Sequence, residues 1–110
     1  MLYLTNSFSV HMFGRMDPGE CVRPRFEAIS KDEAAYMLQG ENFRSYFGHS
    51  DTSVVLSKLL HVTINENRGL LTLKPGDRLI IASLQSKRRF EQGYDADKWF
   101  YFWYVTFLWR

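Results

Sequence analysis

The run WFYFWYVTFLW, residues 99–109, constrains this chain more than any other stretch. It carries no charge over 11 positions, yet falls well short of the roughly 18 to 20 apolar residues that a membrane-spanning helix needs. Aromatic and β-branched side chains favour extended backbone, so the run reads as a buried strand, with part of its aromatic surface available for a contact between chains. The rest of the chain must then supply a sheet for it and cover for that sheet.

The other elements fit that demand. LYLTN reads as a short strand, and the chain then loses regularity until the turn residues Asp17, Pro18 and Gly19. VRPRFEAI alternates weakly and reads as an edge strand, because Pro24 has no N–H to give to a central ladder. Ser30 with Glu33 three residues later is a capping box, so DEAAYML begins a helix that stops at Gly40. The spacing of Val55, Leu56, Leu59 and Leu60 gives a second helix, with Ser50, Asp51 or Thr52 able to cap it. LLTL and RLIIASL read as two strands joined by the turn KPGD. At 110 residues the chain has room for a single domain, 1–110. The predicted class is α+β, a mixed sheet of about five strands flanked by helices.

Composition narrows the function. With 45% hydrophobic and 24% charged residues the chain is an ordinary globular one. A net charge of +2 excludes bulk neutralisation of a nucleic-acid backbone, so any anion site must be local. Cys21 is alone and can form no disulfide within the chain, which fits a reducing cytoplasm, and MLYLTNSFSV lacks the pattern of a signal peptide. His11, His49, His61 and Cys21 are ten or more residues apart, without the short intervals of a zinc-ligand pair. No nucleophile elbow, phosphate-binding loop or dinucleotide fingerprint is present.

The stretch FGHSDTSVVLSKLL sets Gly48 and His49 directly before the second helix. A helix N-terminus offers unpaired N–H groups and positive potential, which suits a phosphate, and an imidazole beside it could donate a proton near neutral pH. The alternative is a histidine that merely precedes a cap and faces water. His61, at the end of the same helix, reads as structural. Asn6, Ser9, Arg68, Lys87, Arg88 and Arg89 are further polar candidates, either a solvated face or contacts to a bound phosphate.

YLTNSFSVHM, FEAISKDEAAYML, FGHSDTSVVLSKLL, NENRGLLTLKPGDRLIIASL and RRFEQG, in that order, resemble the small dimeric viral ring nucleases that act as anti-CRISPR proteins against type III systems. The first and third segments are the most specific. The resemblance implies a homodimer in the host-cell cytoplasm, with no DNA or membrane partner, that binds cyclic tetra-adenylate and cuts it to linear di-adenylate. It implies no metal and no other cofactor. The ribose 2′-hydroxyl attacks the neighbouring phosphorus, leaving a 2′,3′-cyclic phosphate, and the family histidine, here His49, protonates the departing 5′-oxygen. By the same resemblance Arg89 assists at the phosphate. Asn6, Ser9, Gly48, Ser50, Asp51, Thr52 and Arg68 hold the ligand. The family's Gln in the strand before the basic loop falls on Ser83 or, with a shifted gap, on Gln85.

This chain also departs from the pattern. His11 stands where the family often has Asn, and could contact adenine; Gln92 stands where a Glu is common, with Glu91 one residue earlier. The segment after Gly93 is short. These departures motivate an alternative from a different class, a binding protein that sequesters a cyclic nucleotide without cutting it. A third reading, a viral protein that binds a host protein through the aromatic surface of 99–109, predicts no nucleotide affinity.

Overall fold

A computed structural model describes residues 1–48, 50–84 and 99–110, and of Ser50 the backbone alone. Five strands form one mixed sheet: β1 (Leu2–Thr5), β2 (Val22–Ile29), β3 (Phe43–Tyr46), β4 (Arg78–Leu84) and β5 (Phe100–Trp109), in the spatial order β2-β5-β4-β1-β3. Helices α1 (Lys31–Gly40) and α2 (Ser50–Leu60) complete the α+β fold, and a 3-10 turn (Val10–Phe13) comes after β1.

The strand β1 lies between two parallel partners. Leu2 to Thr5 pair with Phe43 to Tyr46 on one side and with Arg78 to Ile81 on the other. The aromatic run is β5, antiparallel to both β4 and β2. VRPRFEAI is β2, at the outer edge of the sheet as Pro24 requires.

Alternation along the strands builds two cores. Leu2, Leu4, Ile80, Ala82, Phe100 and Phe102 face the helices and pack against Ala34, Leu38, Leu56 and Leu60. On the other face Leu79, Ile81 and Val105 are covered by Leu71 and Leu73, together with Phe8, Met12 and Phe13 from the segment after β1. Both faces of β4 are therefore filled, which is why Leu79 to Ala82 are buried without a break.

Two expectations change here. LLTL forms no ladder: β3 and β4 already occupy both sides of β1, so residues 70–73 lie over the sheet instead. There Leu71 and Leu73 bury and the Leu73 N–H donates to the Met12 carbonyl at 2.6 Å. The strand that takes the vacant place is FRSY, whose four half-polar residues give little strand signal and owe their conformation to pairing with β1. In addition, α2 begins at Ser50, which puts Asp51 and Thr52 within its first turn, not at its cap.

Side-chain oxygens fix the ends of the helices. The Ser30 hydroxyl accepts from the Glu33 N–H at 3.0 Å while the Glu33 carboxylate accepts from the Ser30 N–H at 3.2 Å, closing the predicted capping box. At the far end of α2, Ser57 donates to the Ser53 carbonyl at 2.7 Å and accepts from the Ile64 N–H at 3.1 Å, and His61 adopts φ 54 to reverse the chain. Replacing Ser30 with Ala should lower stability by about 1 kcal/mol, seen as a lower urea midpoint with an unchanged slope.

Candidate functional site

Because β1, β3 and β4 are parallel and in register, their carboxyl ends meet at one edge of the sheet. From β1 the chain crosses first to β2 at the far edge of the sheet, then returns to β3 on one side of β1 and to β4 on the other, and the parting of these connections leaves a crevice beyond the strand ends.

A cleft of about 310 Å³ opens there. Asn6, Ser7, Ser9 and His11 line it from the segment after β1, Tyr46 from the end of β3, and Gly69 to Thr72 from the loop before β4. Three of the residues singled out in the sequence, Asn6, Ser9 and His11, are thus brought together. Local hydrogen bonds shape their segment. The buried Thr5 hydroxyl donates to the Ser7 carbonyl at 3.1 Å, and the Ser9 hydroxyl accepts from the His11 N–H at 3.3 Å at the start of the 3-10 turn. The Phe8 ring, edge-on to Phe13 at 5.7 Å and to Phe26 at 5.6 Å, clamps the segment to the sheet between them.

Beyond its bonds to Ser57 of α2, the loop carrying Arg68 is tied to β3. The Ser45 hydroxyl donates to the Asn65 carbonyl at 2.8 Å, and the Asn67 N–H donates to the Phe47 carbonyl at 2.9 Å. These bonds lay Arg68 beside Gly48: a Cβ built on Gly48 would come within 4.0 Å of Arg68 Cγ. The Arg68 guanidinium meets the Glu66 carboxylate at 3.0 Å, and both side chains reach solvent, so the pair contributes little to stability. Burial, then the nearby Asp77 and Tyr46, raises the Tyr3 phenol above its ordinary range; its ring stands edge-on to Tyr46 at 5.8 Å.

Asp51 is exposed and Thr52 buried in the first turn of α2, and neither lines the cleft. His49, Gln85 and Arg89 lie outside the described residues, as do Lys87, Arg88, Glu91, Gln92, Gly93 and the side chain of Ser50. The residues that sequence reasoning missed are Tyr46, Gly69 and Leu70. The signal for Tyr46 would have been the strand ending just before Gly48.

A second cavity, about 500 Å³, lies along the same segment and shares Asn6 and Ser7 with the first. Its other walls are Phe8, Phe26, Ile81, Ser83 and Trp103. Convergent polar groups mark a specific binding site better than size does, so the smaller cleft is the candidate site. Among the described residues no group of three or more His, Cys, Asp or Glu side chains could hold a metal ion, and no helix is long and apolar enough to cross a membrane.

Fold and cleft together define an α+β domain with a crevice, lined by polar and apolar residues, at the carboxyl ends of its parallel strands. The sequence model of the STIV B116-like family matches residues 2–96, and the chain belongs to that family. It is 32% identical over 93 residues to "Uncharacterized protein 26" of Sulfolobus islandicus filamentous virus (isolate Iceland/Hveragerdi), an alignment spanning 84% of this chain and 74% of the relative. Its fold is similar to that of B116 of Sulfolobus turreted icosahedral virus, with a TM-score of 0.73 and 20% identity over 94% of this chain and 97% of that one. The family is thus one of viral proteins.

Gly48 has no positive φ, and the space around it among the described residues accepts a methyl group. Gly48→Ala should therefore leave the unfolding midpoint unchanged or slightly raised.

Proposed function

We propose that this protein is a metal-independent ring nuclease that cuts cyclic tetra-adenylate into linear di-adenylate, and so counteracts type III CRISPR signalling. The observation that carries the reading is the convergence of Asn6, Ser9 and His11 in one cleft, beside the loop that lays Arg68 against Gly48. Two of the segments that bear the resemblance to ring nucleases, YLTNSFSVHM and NENRGLLTLKPGDRLIIASL, supply residues to this cleft.

In this reading the ribose 2′-hydroxyl gives its proton to solvent water as its oxygen bonds to phosphorus, the bond from phosphorus to the 5′-oxygen breaks, and His49 gives its proton to that departing oxygen. The products carry 2′,3′-cyclic phosphate ends. The protein's work is to hold attacking and leaving oxygens in line and to offset negative charge, with Arg68 and Arg89 near the phosphate. Ser50, Asp51, Thr52 and Gln85 belong to the ligand-holding set that the resemblance implies. Purified protein incubated with cyclic tetra-adenylate and EDTA should yield di-adenylate. His49→Ala should slow the cut by a factor on the order of 10² to 10⁴ while binding persists. The rate should fall as pH rises past the pKa of the bound histidine, because the donor must carry its proton. Equal loss of binding and cleavage in His49→Ala, or a rate climbing steadily into alkali, would refute general-acid catalysis. Tight binding with the ring left intact would identify a sequestering protein instead.

A homodimer is part of the same proposal. On the sheet face away from the helices, Phe26, Tyr101 and Trp103 stay 47%, 56% and 37% exposed, an apolar patch that a second copy would cover. A twofold axis would match the symmetry of a four-nucleotide ring and bring one His49 from each chain to opposite phosphates. Light scattering should give twice the 13.0 kDa of one chain, and Trp103→Glu should return the mass to that of a single chain.

A further inference from the structure

We infer that Glu66 competes with a ligand phosphate for Arg68: in the free protein its carboxylate occupies the guanidinium that borders the cleft, and it gives the guanidinium up when the anion binds. The inference rests on the nucleotide reading above and adds a carboxylate that sets how tightly the ligand is held.

Positive charge at the cleft is sparse. Among the described residues no Lys or Arg lines it, and the cation that adjoins it is Arg68, one residue before Gly69. That cation is already engaged, since Arg68 Nε donates to the Glu66 carboxylate at 3.0 Å. A carboxylate so close cancels much of the potential that an arriving phosphate would otherwise meet, and a phosphate that takes the same N–H must displace it. Two anions on one guanidinium would also repel each other, so binding of the ligand and release of Glu66 are coupled.

The local geometry favours such an exchange. The residues on either side of Glu66 are pinned, because the Asn65 carbonyl accepts from the Ser45 hydroxyl and the Asn67 N–H donates to the Phe47 carbonyl. Asn67 Oδ1 in turn accepts from the Gly69 N–H at 2.9 Å, which fixes the backbone beyond Arg68. The backbone is held while the two charged side chains, 37% exposed in Glu66 and 77% in Arg68, are not. An ion pair of this kind is weak and parts without disturbing the fold. The released carboxylate also has another cation at hand. Arg44 of β3 lines a hollow of about 340 Å³ together with Glu66, and it forms no ion pair among the described residues.

A double-mutant cycle tests the coupling. Wild type, Glu66→Gln, Arg68→Ala and the double variant are titrated with cyclic tetra-adenylate by calorimetry, and cutting of the ring is followed separately. Glutamine keeps the size of the side chain and removes its charge, and because the pair is exposed the unfolding midpoint should not move. Glu66→Gln should bind about threefold more tightly for each Arg68 engaged, hence about tenfold where one ring meets both chains of a dimer, and the gain should largely vanish on the Arg68→Ala background. An affinity equal to wild type or lower overturns the inference, a lower one meaning that the carboxylate orients Arg68 for the ligand. A gain of the same size on the Arg68→Ala background overturns it too, because the carboxylate would then repel the ligand directly. In either case cutting by the wild type leaves the nuclease reading standing. A gain that depends on Arg68, without any cutting of the ring, supports the competition while the nuclease reading fails. Absence of binding in all four proteins overturns both.

Discussion

The central constraint in this structure is the two-sided parallel pairing of β1. Four residues, Leu2 to Thr5, fix the register of β3 on one side and β4 on the other, and with it the common level at which β1 and β3 end while β4 runs on to Leu84. A slip of one residue would turn Leu2 and Leu4 away from the helices and Tyr3 and Thr5 toward them. It would also break the alignment on which the crevice depends. The core thus sets the position of the polar residues, although none of them contributes to it.

The segment after β1 is held by side chains more than by regular secondary structure. Phe8 and Phe13 anchor it through rings on β2 and β5, so the aromatic run near the end of the chain also positions residues near its start. The loop bearing Arg68 depends in the same way on β3, through two hydrogen bonds to its Ser45 hydroxyl and to the Phe47 carbonyl just after it. The crevice is shaped like a palm whose fingers are each pinned to a different strand. The charge pair of Arg78 with Glu41, beside α1, lies at the opposite end of the sheet from the cleft.

Much of this fold is legible in the sequence, and the reasons are local. The capping box at Ser30, the edge position forced by Pro24 and the aromatic strand β5 each have a cause within a few residues, and each stands where the sequence places it. LLTL and FRSY exchange roles because strand formation there is decided by which edge of β1 is vacant, a tertiary fact that alternation does not encode. The candidate site divides along the same line. Asn6, Ser9 and His11 are legible as polar residues after a strand, whereas Tyr46, Gly69 and Leu70 become neighbours of that segment only through the sheet. Asp51 and Thr52 have the side chains of caps, but the helix starts ahead of them at Ser50, and they are part of its first turn.

The outer strand β2 carries one further implication. Its eight residues place Pro24 among Arg23, Arg25 and Glu27, so its free side combines a missing donor with alternating charge. Such a border is a poor template for endless strand-by-strand growth. The opposite border, β3, is only four residues long, so neither side of the sheet gives a fibre a long starting rail.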